Sequence, residues 1–280
     1  MVHTLTTTPM QDGFRMPGEF ENHAGCWLIW PERDDNWRED GKYAQIAFAE
    51  VAKAISYFEP VTMAVSARLF DTCRTVLSAN IRVVEISSND SWMRDVGPTW
   101  VIDNHGNTRG IDWQFNAWGG LYHPCDLDRA VAQKVLEIER HDRYPAPLIL
   151  EGGSIHVDGE GTVLTTEQCL LNPNRNPTLT KSQIERFLCE YLNVSKVIWL
   201  GQGVPHDETS GHIDNLACFV RPQHVLLTWT DDEQDPLYEI CRDAEQRLLT
   251  TVDAQGRQLY VHHIPQPVHC GSNYCVALLT

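Results

Sequence analysis

An internal repeat constrains this chain more than any other feature. Three segments each read as a β-hairpin, then a helix, then one more strand. The hairpins are "GPTWVIDNHGNTRGIDW", "SIHVDGEGTVLTT" and "HIDNLACFVRPQHVLLTW", with turn signals "NHGN", "DGEG" and "RPQH" between β-branched or aromatic runs. They begin near 97, 154 and 213, so the period is 57 to 59 residues. Helical spacing of apolar residues follows each hairpin, over 126–139, 181–192 and 236–249. The strands "PLIL", "KVIWL" and "LYVHHI" close the units. A ββαβ unit recurring at this period predicts a pseudo-symmetric α/β array. The run "GCWLIW", helices over 42–57 and 68–78, and strands "VTMAV" and "IRVVEI" supply a less regular opening module. No long linker or low-complexity stretch divides the chain, which reads as a single domain over 1–280. A further period would begin near 272, where "GSNYCVALLT" offers one strand-like run over 274–279 and no partner. The array is therefore expected to be incomplete at its C-terminal end, since a lone terminal strand leaves an unprotected edge.

Composition narrows the function classes. The 280 residues carry a net charge of −16, which repels phosphate backbones and argues against a nucleic-acid partner. Such a charge either keeps the chain soluble or draws a small cation into a cleft. No apolar run reaches the ~18 residues of a membrane span. The N-terminus lacks a basic stretch leading into an apolar one, so no secretory signal is read. The nine cysteines are odd in number and show no C-x-x-C pair, which suits a reducing cytoplasm better than a disulfide framework or a zinc ribbon.

Before each hairpin stands a polar cluster: "NDSWMRDVG", "LEGGS" and "HDETSGHID". Equivalent segments of a pseudo-symmetric array face a common axis. These three are thus expected to gather Trp92, Arg94, Asp95, Glu151, His206, Asp207, Glu208, His212 and Asp214 at one site. Acids predominate, and two carboxylates around one planar group suit a guanidinium with its fork of N–H donors. Asp95 is either a functional acid or a former of the turn before Gly97-Pro98. Glu151 is either a cleft group or a surface group at a strand end. His212 and Asp214 share a face if the segment is extended, as a working pair or a structural one. Ser91, Ser154, Thr209 and Ser210 are nucleophiles by type only, outside any G-x-S-x-G elbow. His206, His212 and Asp214, or His156 and Asp158, could hold a metal, although no H-E-x-x-H spacing occurs.

The segments "MPGEFENHAGCWLIWPERDDNWR", "WMRDVGPTW", "FNAWGG", "LEGGSIHVDGEGTVLTTEQCLLNPNRNP" and "SGHIDNLACF" closely resemble the agmatine deiminase family, which also includes bacterial peptidylarginine deiminases. The resemblance runs from about residue 14 to about 265. It implies the pentein fold, an α/β propeller of five ββαβ-type modules around a pseudo-fivefold axis carrying the active site. It also implies hydrolysis of the agmatine guanidinium to N-carbamoylputrescine and ammonia, a step toward putrescine. By resemblance Asp95 and Asp214 clamp the guanidinium, His212 is the general acid/base, Glu151 orients or tunes it, and Trp92 lines the slot. No metal or organic cofactor is implied.

The chain departs from the family at one point. The family's nucleophilic cysteine lies in a segment of the form G-G-G-N-x-H-C near the C-terminus, and this sequence contains none. Cys270 and Cys275 stand in different surroundings, and Cys218 in "LACFV" reads as core. The catalytic thiolate is therefore expected to be absent from this chain, leaving its own turnover in question. Three further readings stand beside the deiminase: a non-catalytic binder of agmatine or another cation, a peptidylarginine deiminase, and a metal-dependent hydrolase using His206, His212 and Asp214.

Overall fold

The structure is a computed structural model, and it describes residues 2–266. Among these residues four three-stranded sheets follow one another along the chain. The first contains β1 (Cys26–Ile29), β2 (Val61–Val65) and β3 (Arg82–Glu85), all parallel. The second contains β4 (Thr99–Ile102), β5 (Thr108–Gln114) and β6 (Arg143–Ile149). The third contains β7 (His156–Val157), β8 (Thr162–Thr166) and β9 (Lys196–Leu200), and the fourth β10 (Ala217–Arg221), β11 (His224–Trp229) and β12 (Tyr260–Pro265). In each of the last three sheets the first pair is antiparallel and the second parallel. That is the expected ββαβ unit, three times over.

Turn chemistry fixes the hairpins. Gly106, Gly159 and Gly161 take φ of 82°, 71° and 104°, values that a β-carbon opposes. In "RPQH" no glycine is present, and Gln223 adopts φ 69° instead. Parallel strands require a crossover, and helices provide it. Helix α1 (Lys42–Ile55) joins β1 to β2, and α2 (Phe70–Val76), after a 3₁₀ turn, joins β2 to β3. Helices α3 (Val131–Glu139), α4 (Lys181–Leu192) and α5 (Tyr238–Leu249) do the same in the later units. Helix α4 shows why its sequence is helical. Thr180 and Gln183 form a capping box, Ile184, Leu188, Tyr191 and Leu192 bury one face, and Asn193 ends it in the left-handed region at φ 55°. Expected helix 126–139 starts later, at Val131, because residues 128–130 form a 3₁₀ turn.

Strands β2 and β8 are buried at every position, as the central strand of a sheet covered on both faces must be. The cores run from one unit into the next. Val101, Ile111 and Trp113 of the second sheet pack with Leu148, Ile155 and Val163, which straddle the second and third. No helix among the described residues is long and apolar enough to cross a membrane. The run 274–279, Cys270 and Cys275 lie outside the described residues, as does any closure of a fifth unit.

Candidate active site

The site is built where each unit hands over to the next. Asp95 lies between β3 and β4, Glu151 between β6 and β7, and His212 and Asp214 between β9 and β10. Asp95 rides on a single helical turn, Met93–Val96, that starts from Trp92. Glu151 ends the apolar run of β6 and leads into the tight turn Gly152–Ser154. There Gly152 packs against the Arg94 carbonyl so closely that a side chain would not fit. His212 and Asp214 were expected on one face of an extended segment. Instead the chain turns at 213–216, with the Ile213 carbonyl accepting from Leu216 and Ala217, and Asp214 N–H donating to the Gly153 carbonyl at 3.2 Å. The turn, rather than strand alternation, brings the pair together.

A common point lies above Gly153. A β-carbon there would sit 2.5 Å from Asp214 Oδ2, 2.5 Å from His212 Nδ1 and 2.8 Å from Asp95 Oδ1. Two carboxylates and an imidazole thus converge on the space that this glycine leaves open. Asp95 is held by Gly153 N–H on Oδ1 at 2.9 Å and by Trp118 Nε1–H on Oδ2 at 3.1 Å. Asp214 Oδ1 is buried without a hydrogen-bond partner. The other nitrogen of His212, Nε2, faces Glu151 Oε2 at 3.4 Å, while Nδ1 lies 3.8 Å from Asp95 Oδ1. Glu151 therefore stands behind the imidazole, and Nδ1 looks into the open space.

Electrostatics follow from packing acids together out of water. Burial raises the Asp95 carboxyl above its ordinary value although His212 offsets part of the effect, and burial pushes Asp214 up to about 7. Glu151 goes the other way: its burial is outweighed by His212 and by the buried Arg175, so it stays ionised. Burial alone would lower His212, but Asp95, the Cys169 thiol and Glu151 raise it well above the ordinary imidazole value.

Three residues of the site escaped sequence reasoning. Arg175 has no exposed side-chain surface and donates to Glu151 Oε1, the Asn174 side chain and the Thr209 carbonyl, each at 2.8 Å. It fixes Glu151 and ties it to the loop bearing His212. Trp118 anchors Asp95, and Cys169 packs with Glu151 and His212. A Cys in "TEQCLL" and an Arg in "NPNRNP" carry no local pattern that separates them from core and surface residues. The quoted motif "FNAWGG" did point at Trp118 without giving it a role.

Other members of the expected cluster stand apart. Arg94 turns to Glu19, and His206 and Glu208 are exposed. Asp207 spends its carboxylate on its own loop, accepting from Thr209 Oγ1 at 2.6 Å and from the backbone N–H of Gly211 and His212 at 3.1 and 2.9 Å. Trp92 is half-buried and packs on Trp37 with ring centroids 5.7 Å apart. Ser154 Oγ donates to the Glu151 carbonyl at 2.6 Å, and Thr209 is committed to Asp207. The expected metal grouping of His206, His212 and Asp214 does not form. Among the described residues the one cluster of metal-ligating side chains is Glu151, Cys169 and His212.

Comparison with known proteins then decides the family. The model of the Porphyromonas-type peptidyl-arginine deiminase family matches residues 15–277. The chain belongs to this deiminase family. Its relatives include the agmatine deiminase of Pseudomonas aeruginosa strain LESB58, 58% identical over 268 residues, which are 94% of this chain and 73% of that one. Among solved structures, an agmatine deiminase of Enterococcus faecalis superposes with a TM-score of 0.94 at 54% identity, covering 97% of this chain and 77% of that one. A Cys-to-Ser variant of a C. jejuni agmatine deiminase, solved with substrate bound, superposes at 0.80 and 30% identity over 92% and 76%. The chain thus spans about three quarters of the length of these family members. It shares their fold, the pentein-type α/β arrangement that the resemblance implies, with the ββαβ units read from the repeat.

Proposed function

We propose that this site binds and hydrolyses the guanidinium of agmatine. The observation that carries the reading is the convergence of Asp95, His212 and Asp214 on the space above Gly153. Two carboxylates hold a planar cation by charge-assisted hydrogen bonds and fix its orientation. The relatives named agmatine deiminase, more than half identical, support agmatine rather than a peptide as the substrate. A guanidinium is resonance-stabilised, so the carbon must be attacked by a strong nucleophile while the leaving amine gains a proton. In this reading His212 supplies that proton. Its Nδ1 faces the clamp, and Glu151, steadied by Arg175, holds the far side of the ring.

In the reaction, a thiolate forms a bond to the guanidinium carbon, and the C–N bond to the departing nitrogen breaks. That nitrogen leaves as ammonia with the His212 proton. Water then attacks the thiouronium carbon, gives one proton to His212 and its second, through solvent, to the released ammonia as ammonium, and expels the thiolate, leaving N-carbamoylputrescine. Trp92 is the candidate wall of the slot. The clamp and the histidine belong to residues 95–214, and the thiolate called for by the family resemblance is not assigned to any of these. Binding and turnover are accordingly separate measurements. Calorimetric titration should show agmatine binding to the chain, with Asp214→Asn weakening it by about 1.5–3 kcal/mol. A folded chain that does not bind agmatine overturns the reading. Binding without release of ammonia and N-carbamoylputrescine would favour the non-catalytic binder.

A further inference from the structure

Cys169 has no part in the reaction just described, yet it lies against the centre of the site. Its thiol, a ring nitrogen of His212 and a carboxylate oxygen of Glu151 form a cluster whose ligand atoms all fall within 4.8 Å of one another. The three residues are buried, at 0%, 2% and 0% exposure. Two of the atoms are also unsatisfied. Glu151 Oε2 and His212 Nε2 have no hydrogen-bond partner of adequate geometry, although each is sealed from water. They face each other at 3.4 Å, where a well-aligned hydrogen bond would be shorter.

That separation has a second meaning. Zn–N and Zn–O bonds of about 2.0–2.2 Å at a tetrahedral angle hold their two ligand atoms about 3.4 Å apart. Sulfur, imidazole and carboxylate are all ligands that zinc takes, and three protein ligands leave a fourth position open. The outer partners are also in place. Arg175 takes Oε1 of Glu151 at 2.8 Å and leaves Oε2 turned toward the histidine. Asp95 and Asp214 stand on the far side of the ring.

We propose that Cys169, His212 and Glu151 form a binding site for zinc or a similar thiophilic divalent ion. Metal entry releases the Cys169 thiol proton and the proton on His212 Nε2, and forms bonds to Sγ, Nε2 and Oε2. The ion sits behind the imidazole, on the side away from the guanidinium clamp. Resting on the reading of His212 as acid/base, zinc is then an inhibitor. It fixes the histidine from behind, and the ring can no longer cycle through the imidazolium form.

The test uses the whole chain, held reduced by a phosphine. Zinc is titrated against a chromophoric chelator, and cobalt(II) is added as a spectroscopic probe. The expected result is one tight zinc per chain and a sulfur-to-cobalt charge-transfer band. Cys169→Ser should remove the band and weaken zinc by more than about tenfold, the least that loss of an outer partner costs. Cys26→Ser and Cys189→Ser, the two incompletely buried described cysteines, should leave both unchanged. A chain that takes up no stoichiometric zinc overturns the proposal. A folded Cys169→Ser variant that binds zinc unchanged overturns it equally. If Cys169→Ser does not fold, the cobalt spectrum of the unaltered chain decides, and absence of the thiolate band is fatal. None of these readouts requires agmatine. A chain that binds zinc but not agmatine would keep this site and lose the proposed function instead.

Discussion

Gly153 shows how much a single missing side chain can matter. Its backbone lies outside the left-handed region, so alanine is conformationally acceptable, but the added methyl would enter the space shared by Asp95, His212 and Asp214. Gly153→Ala should therefore cost agmatine binding about 1.5–3 kcal/mol, the worth of a hydrogen bond to a charged group. Calorimetry on the folded variant checks this, and undiminished affinity would mean that the guanidinium lies elsewhere. Arg175 presents the opposite case, a large cation with no exposed side-chain surface. Arg175→Met removes one member of a buried pair and leaves Glu151 with only His212. Denaturant unfolding should show a loss of about 3–5 kcal/mol, and a loss below 1 kcal/mol would deny the pairing its structural weight. Asp95, Glu151, His212 and Asp214 stand in the polar clusters before the hairpins, but so do Arg94, His206, Asp207 and Glu208, and it is the family resemblance that singles out the four. Arg175 was not legible, since an arginine between asparagines and prolines reads as solvated loop.

At the scale of elements, the segment before β1 is fastened to the site from outside. Glu19 pairs with Arg94, next to Asp95, and accepts from His156 Nε2 at 3.1 Å. The other ring nitrogen, Nδ1, accepts from Phe219 N–H at 3.2 Å in β10. One carboxylate thus joins the turn carrying Asp95 to the strand that follows Asp214. Burial would raise Glu19, but His156 and Arg94 outweigh it and hold it down at about 2. A carboxyl with a folded value below its unfolded one stabilises the fold above the unfolded value, near 4.5, and loses that contribution as pH falls toward 2. Glu19→Gln should lower the melting temperature at pH 6, and the gap should narrow as pH drops below 4.5. A gap independent of pH would assign the effect to packing. The three later units were legible as elements because turn residues and apolar periodicity agree in each. The all-parallel opening sheet was less so, because it has no hairpin to punctuate it, and its strands could have paired in several orders.

Across the whole molecule the hydrophobic cores ignore the borders of the repeat. One cluster joins Ile29 and Ala64 of the first sheet to Val96, Phe115 and Val135 of the second unit. Another joins the second to the third through Val101, Trp113, Leu148 and Val163. The next carries Leu164 and Leu200 into Phe219, Leu227 and Leu248 of the fourth. Among the described residues only the cluster around Trp30 and Met63 is confined to one unit. A repeat array with weak interfaces would melt unit by unit, whereas shared cores couple each unit to its neighbours. The chain should unfold as one domain in a single cooperative transition. Tryptophans report from every unit, with Trp30 in the first, Trp113 in the second, Trp199 in the third and Trp229 in the fourth. Tryptophan fluorescence and far-UV circular dichroism should therefore give coincident urea curves. A separate early phase would place a boundary at one of these interfaces. Because the site is assembled from three unit-to-unit connections, agmatine binding should be lost in that phase if the boundary falls between Asp95 and Asp214.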